Sequence, residues 1–144
     1  MASKLGTSKK FYSHIYNVVE AHPVYRMIWK SSCTPRIKFF IWLVLVDRLN
    51  TKTVLTRKHI AVHHDEICVM CDTRATETIE HLFFLCPFAR QCWMTLNFVW
   101  DDSLNIEERL CRRREVNGQE FFTEVAMIAA WELWKLRNDK VFHR

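Results

Sequence analysis

The chain has 144 residues, 49% of them hydrophobic and 13% aromatic, and a formal net charge of +5. That supply of apolar side chain suffices for one domain with a buried core. Two glycines and three prolines leave few tight turns for a many-stranded β fold, no apolar run is long enough to span a membrane, and the basic start lacks the apolar block of a secretory signal.

Residues 1–9 read as a flexible basic N-terminus. Phe11, Ile15, Val18 and Val19 recur at helical spacing, which predicts an amphipathic helix over 10–21 that His22-Pro23 ends. A short helical segment follows around Val24–Lys30 and carries Trp29. Pro35 suits the first position of a helix over about 35–47, whose Ile37, Phe39, Phe40, Trp42, Leu43 and Leu45 point to all sides, as a central helix requires. Asn50 or Thr51 can cap the next helix, about 52–58. Beyond it come Cys68, Cys71, His81 and Cys86, then a break at Cys86-Pro87 and a helix from Pro87 through Trp93 and Leu96. Residues 101–117 are mostly charged and read as partly loop, and Asn117-Gly118 is a turn signal. One helix over about 118–142 closes the chain, with Phe122, Ala126, Ala129, Leu133 and Leu136 on one face and Trp131 and Trp134 beside it. The fold class is mainly α: a compact helical domain over 10–142 with an inserted zinc knuckle (Cys-Cys-His-Cys) at 66–88.

The four residues of the knuckle read Cys-x2-Cys-x9-His-x4-Cys. Three thiolates and one imidazole at such spacing suit tetrahedral Zn²⁺. The first pair fits one tight turn; His81 and Cys86 sit on a segment that can be helical, about one and a half turns apart. Two other uses of these residues stay open at this point. Free cysteines are also ordinary buried apolar residues, and Cys-x-x-Cys also serves redox chemistry, although the βαβ context of a thioredoxin-like site is missing. Cys33, Cys92 and Cys111 lack the spacing and read as packing residues, Cys92 being the one rival for a metal position. Four protein donors fill a tetrahedral shell and leave no place for an activated water, so the zinc is expected to be structural.

No enzyme is expected. Phe98-Val99-Trp100-Asp101-Asp102 has the outline of a polymerase's aromatic-x-Asp-Asp box, but the third carboxylate that two-metal chemistry needs has no counterpart. Asp101 and Asp102 fit better as residues that cap or solvate a helix start. His63-His64-Asp65-Glu66 reads as a loop. There is no Gly-rich phosphate loop and no Gly-x-Ser-x-Gly elbow.

Charge is unevenly placed. Residues 1–60 hold eleven bases and two acids, a net +9, whereas the remainder is net −4. A basic half interleaved with Tyr12, Tyr16, Tyr25 and other rings is suited to nucleic acid, and equally to a merely solvated face. The candidate phosphate contacts are Lys9, Lys10, Arg36, Lys38, Lys52, Arg57 and Lys58. Arg112, Arg113 and Arg114 read as a solvated helix end or loop. The missing signal indicates a reducing, intracellular location, nucleus or cytoplasm, where thiols bind metal rather than pair, with the acid-free start leaving the mitochondrion as a lesser option.

Three stretches resemble the zinc-binding domain near the C-terminal end of plant non-LTR (LINE-type) retrotransposon reverse transcriptases. They are residues 28–60, with Trp-Lys, Pro-x-x-Lys-x-Phe-x-Trp-Leu and Leu-x-Thr elements; 68–93, with Cys-x2-Cys and His-Leu-Phe-Phe-x-Cys; and 131–142, WELWKLRNDKVF. The resemblance implies zinc on Cys68, Cys71, His81 and Cys86, a mostly helical domain, and ancestry in a protein that handled RNA and DNA. Without polymerase or RNase H regions, the chain resembles a stand-alone retroelement fragment taken over for a host role. The expected function is a non-enzymatic, zinc-stabilised module that binds RNA or DNA. The alternative is a protein-interaction or regulatory module, with a protein partner or a second copy docking on helix faces that expose Trp131, Trp134 and Phe142. Neither reading includes a small-molecule substrate.

Overall fold

The computed structural model describes residues 22–60, 65–117 and 121–143. The expected flexible start, the 10–21 helix with Tyr12 and Tyr16, Lys9 and Lys10, His63, His64 and the Gly118 turn lie outside them.

Six α-helices and one π-helical turn make up the described chain, and local chemistry sets most of their starts. In α1 (Pro23–Lys30) the His22 ring accepts from the Val24 amide at 3.3 Å, and proline occupies the first turn. Proline also opens α2 (Pro35–Leu45) and α4 (Pro87–Thr95), where its missing N–H removes nothing a helix would use. For α3 (Lys52–Arg57) the cap is Thr51, whose hydroxyl accepts from the Val54 amide at 3.4 Å. The π-helical turn spans His81–Leu85.

The charged stretch expected to be partly loop is loop only to Asn105; α5 then runs Ile106–Asn117. Its start is a reciprocal cap. The Glu108 amide donates to the Asn105 side chain at 2.8 Å, and the Asn105 amide donates to the Glu108 carboxylate at 3.3 Å. The last helix, α6, is Phe122–Phe142, entered through Phe121 in the left-handed region (φ 66°).

Helix α2 packs along α6, α1 packs on α2 and α5, α5 on α6, and α4 on the π turn. The core between them holds Ile28, Phe40, Val44, Leu82, Phe83, Trp93, Phe122, Met127 and Leu133. The face of α6 differs from expectation. Phe122, Thr123, Ala126, Met127, Ala130, Leu133 and Arg137 are buried, whereas Leu136 is exposed. Arg137 continues the buried row four residues past Leu133, which puts Leu136 one step off it. Trp131 and Trp134 are half-buried against Phe40, with ring centroids 5.1 and 6.3 Å away, so most of their surface faces the core; Phe142 is exposed. Helix α2 is apolar on all sides but not covered on all sides, because Phe39 and Trp42 face solvent.

Candidate metal centre

Two short arms build the site. Residues 66–68 run antiparallel to 75–77 through a bridge between Ile67 and Thr76. The Cys68 amide donates to the Ala75 carbonyl at 2.9 Å, and the Glu77 amide to the Glu66 carbonyl at 2.7 Å. Arg74 takes a left-handed conformation (φ 57°), which lets the chain reverse between them. This turn carries Cys68 and Cys71, and the Met70 amide points back at the Cys68 sulfur at 3.4 Å.

The second pair comes from the π turn. Thr78 opens it, its hydroxyl accepting from the His81 amide at 3.0 Å and its carbonyl from the Leu82 amide at 2.9 Å; Thr76 and Glu77 belong to the arm before it. In an α-helix, five residues of separation would place His81 and Cys86 about 140° apart around the axis. The wider turn, closed by the Cys86 amide donating to the His81 carbonyl at 2.7 Å, returns both to one side. In an α-helix the Phe83 carbonyl would meet residue 87, which is proline and has no N–H to give. The Phe83 carbonyl accepts instead from the Trp93 indole N–H at 2.6 Å.

The result is one cluster. A donor atom from each of Cys68, Cys71, His81 and Cys86 lies within 4.8 Å of every other. His81 meets the Cys71 sulfur through Nε2 at 3.4 Å. A tetrahedral Zn²⁺ with Zn–S bonds of about 2.3 Å spaces its sulfurs about 3.8 Å apart, so the cluster fits with small adjustments. Cys68, His81 and Cys86 are buried and Cys71 is half-buried, touching the Thr73 hydroxyl at 3.1 Å. Among the described residues no other such group of His, Cys, Asp or Glu comes together.

The electrostatics suit a cation. Hydrogen bonding from Cys68 is the largest influence on Cys86 and brings its thiol pKa down to about 5 against the opposing effect of burial. The Ala89 and Phe88 amides in the first turn of α4, and Cys71, act in the same direction. Cys68 keeps the shared proton: its pKa is raised by the bond to Cys86 first and by burial second. A bound metal ion would take the place of that proton and hold all three sulfurs as thiolates. Cys92 lies outside the cluster; burial first, and the charge of Cys86 second, raise its pKa and keep it a thiol.

Two ion pairs, one buried at both ends and one that reaches the surface through Glu80, hold the site to the rest of the molecule. Glu77 is fully buried, and both of its carboxylate oxygens receive Arg137 of α6, at 2.5 and 3.2 Å. The first amide of α3, from Lys52, also donates to Glu77 at 2.9 Å. On the other side, Arg109 of α5 is buried over the Phe84 ring and reaches Glu80 at 2.5 Å, together with the carbonyls of Asp101 and Leu104. None of these four charged residues was marked by motif. The signal for Arg137 was its register, a cation in phase with a buried row, which calls for a buried carboxylate.

The candidate phosphate contacts divide. Arg36, Arg57 and Lys58 are exposed, Arg57 paired with Asp47 and Lys58 bonded to the Asn50 side chain. Lys38 is half-buried with its ammonium on the Trp29 carbonyl at 3.0 Å. Lys52 is buried, its ammonium held by Asp65 at 3.0 Å and the Ile67 carbonyl at 2.8 Å, so it braces the knuckle and does not face solvent. Tyr25 is half-buried and donates to Glu107 at 3.2 Å. Of the aspartates outlined as a polymerase box, Asp101 accepts from Ser103 and Asp102 pairs with Arg90, both at the surface.

A family model described as zinc-binding in reverse transcriptase matches residues 7–93, more than half of the chain and all four residues of the cluster. No curated protein and no solved structure gives a match.

Proposed function

The chain belongs to the family of zinc-binding domains in reverse transcriptase, and from that premise we propose that it is a zinc-stabilised, non-catalytic module that binds nucleic acid. The observation that carries the zinc is the closed set of four protein donors within 4.8 Å of one another. Four such donors complete a tetrahedral shell and leave no open position for a reacting water, which makes the ion structural.

Support for the ligand comes from the charge of the N-terminal part of the chain. Between residues 22 and 46 there are four bases and no acid. Arg26, Lys30 and Arg36 of this stretch, and Arg48 just after it, are exposed. Such a surface attracts a phosphate backbone and gives affinity that falls as salt rises. The motif resemblance of residues 28–60, 68–93 and 131–142 supports descent from a plant LINE-type element. The three thiols gathered in the metal cluster favour a reducing, intracellular setting, nucleus or cytoplasm. No described helix is long and apolar enough to cross a membrane. The test is binding to RNA and to single-stranded DNA across a salt series: affinity falling with salt supports the reading, whereas a flat dependence or no binding at low salt overturns it.

A second reading has its own observation. Val125, Ile128 and Leu136 lie exposed along α6, with Phe142 at its end. An apolar row of this kind suits a protein partner or a second copy of the chain. Sedimentation of the pure protein separates the two readings: a strict monomer that retains no protein from native extract counts against the second.

A further inference from the structure

We propose that the outward face of α2 is a stacking platform for single-stranded nucleic acid, with Phe39 and Trp42 as the rings that receive bases and Arg36 as the adjoining phosphate contact. This rests on the nucleic-acid reading above and assigns it a site. Phe39 is 54% and Trp42 36% exposed although both stand on the helix that supplies Phe40, Ile41 and Val44 to the core. The two rings lie one turn apart and stack, 5.7 Å between centroids and 24° from parallel, so each supports the other as an exposed aromatic pair. Arg36 is exposed one turn before Phe39 on the same side. Lys38, on the carbonyl of exposed Trp29, fixes the end of α1 beside this face.

Charge decides the occupant. A protein partner docking on an apolar ridge is best served by a neutral or mixed rim, whereas the stretch from 22 to 46 carries bases and no acid. Flat rings beside isolated cations match unpaired bases strung on a phosphate backbone. A duplex keeps its base faces stacked on one another and would meet only the cations. The platform uses ring faces and phosphates, which RNA and DNA share, so single strands of both should bind alike.

The experiment compares the wild-type chain with Phe39→Ala, Trp42→Ala and the double variant, using labelled single-stranded RNA and DNA of mixed sequence and the corresponding duplexes. The expected result is about a tenfold loss for single strands in each single variant, little change for duplexes, and an unaltered salt slope, because no cation is removed. Phe39→Tyr and Trp42→Tyr retain the rings and should retain the affinity, and metal content and circular dichroism establish that each variant is folded. Undiminished single-strand binding by the folded double variant, or equal losses for single strands and duplexes, overturns the platform while leaving the salt-dependent binding of the wild type in place. Altered sedimentation of the double variant with unchanged nucleic-acid affinity also overturns it and marks the face as a contact between copies. A wild-type chain that binds no nucleic acid at low salt defeats the platform together with the reading beneath it.

Discussion

Arg137 and Glu77, sixty residues apart in sequence, form a two-point ion pair with side chains 2% and 0% exposed. The pair joins the C-terminal helix to the arm that leads into the metal cluster, and the same carboxylate holds the start of α3. Arg137 also lies over the Trp134 ring at 4.8 Å and donates to Asn138 at 2.9 Å, so its guanidinium is surrounded. A charge this deep is tolerated only because its partner is equally deep.

Removing one member strands the other. Arg137→Ala and Glu77→Ala should each destabilise the protein by about 3–5 kcal/mol, with Glu77→Ala the more severe because it also frees the Lys52 amide. Arg137→Met with Glu77→Leu should cost clearly less than the two single alanine losses combined, since no unpaired charge remains. Urea denaturation of the four proteins measures this, and additive losses would mean the pair is not coupled.

Metal removal should melt the knuckle first. Cys68→Ser or His81→Ala should lose the bound ion, because a three-donor remnant holds zinc far more weakly and binding energy at such sites is folding energy. Elemental analysis should find one zinc per wild-type chain and almost none in either variant. A chelator should lower the wild-type melting temperature and leave the variants unmoved; an intact, metal-free wild type would contradict the whole account of the centre.

The π turn makes its own demand on the core. Trp93 is buried, and its indole N–H satisfies the Phe83 carbonyl. Trp93→Phe leaves that carbonyl unpartnered and should cost about 1–3 kcal/mol beyond the loss of ring area, with zinc retained. Inserting one alanine after Leu85 rotates Cys86 away from His81 and should abolish metal binding instead. Thermal unfolding with parallel metal analysis separates the two effects.

The bases should part company in a salt titration. Arg36→Gln removes an exposed cation and should lower the salt slope of RNA binding by about one, with stability unchanged. Lys52→Gln should leave the slope as it is and reduce stability, because its ammonium belongs to Asp65 and the Ile67 carbonyl. Equal effects of the two on the slope would place Lys52 in the nucleic-acid interface.

What the sequence determined by itself was whatever depends on near neighbours. The four residues that converge on one cluster fall within nineteen consecutive positions, 68 to 86, and their spacing marked them as candidate metal donors. Pro35, Pro87 and the pair Asn50 and Thr51 marked helix starts because capping is a matter of three or four residues, whereas Pro23, expected only to end the helix before it, opens α1. Asn105 and Glu108 cap α5 across the same short range. Tertiary structure alone decided what depends on distant chain. The π turn brings His81 and Cys86 to one side and leaves the Phe83 carbonyl to the Trp93 indole, and helical periodicity carries no trace of that. Lys52 and Arg36 are both cations in a basic half; only packing against residues 65–67 buries one and leaves the other in water. Arg137 fell on the apolar row of its helix, but its partner lies sixty residues away, and burial of a charge is settled by whether that partner arrives.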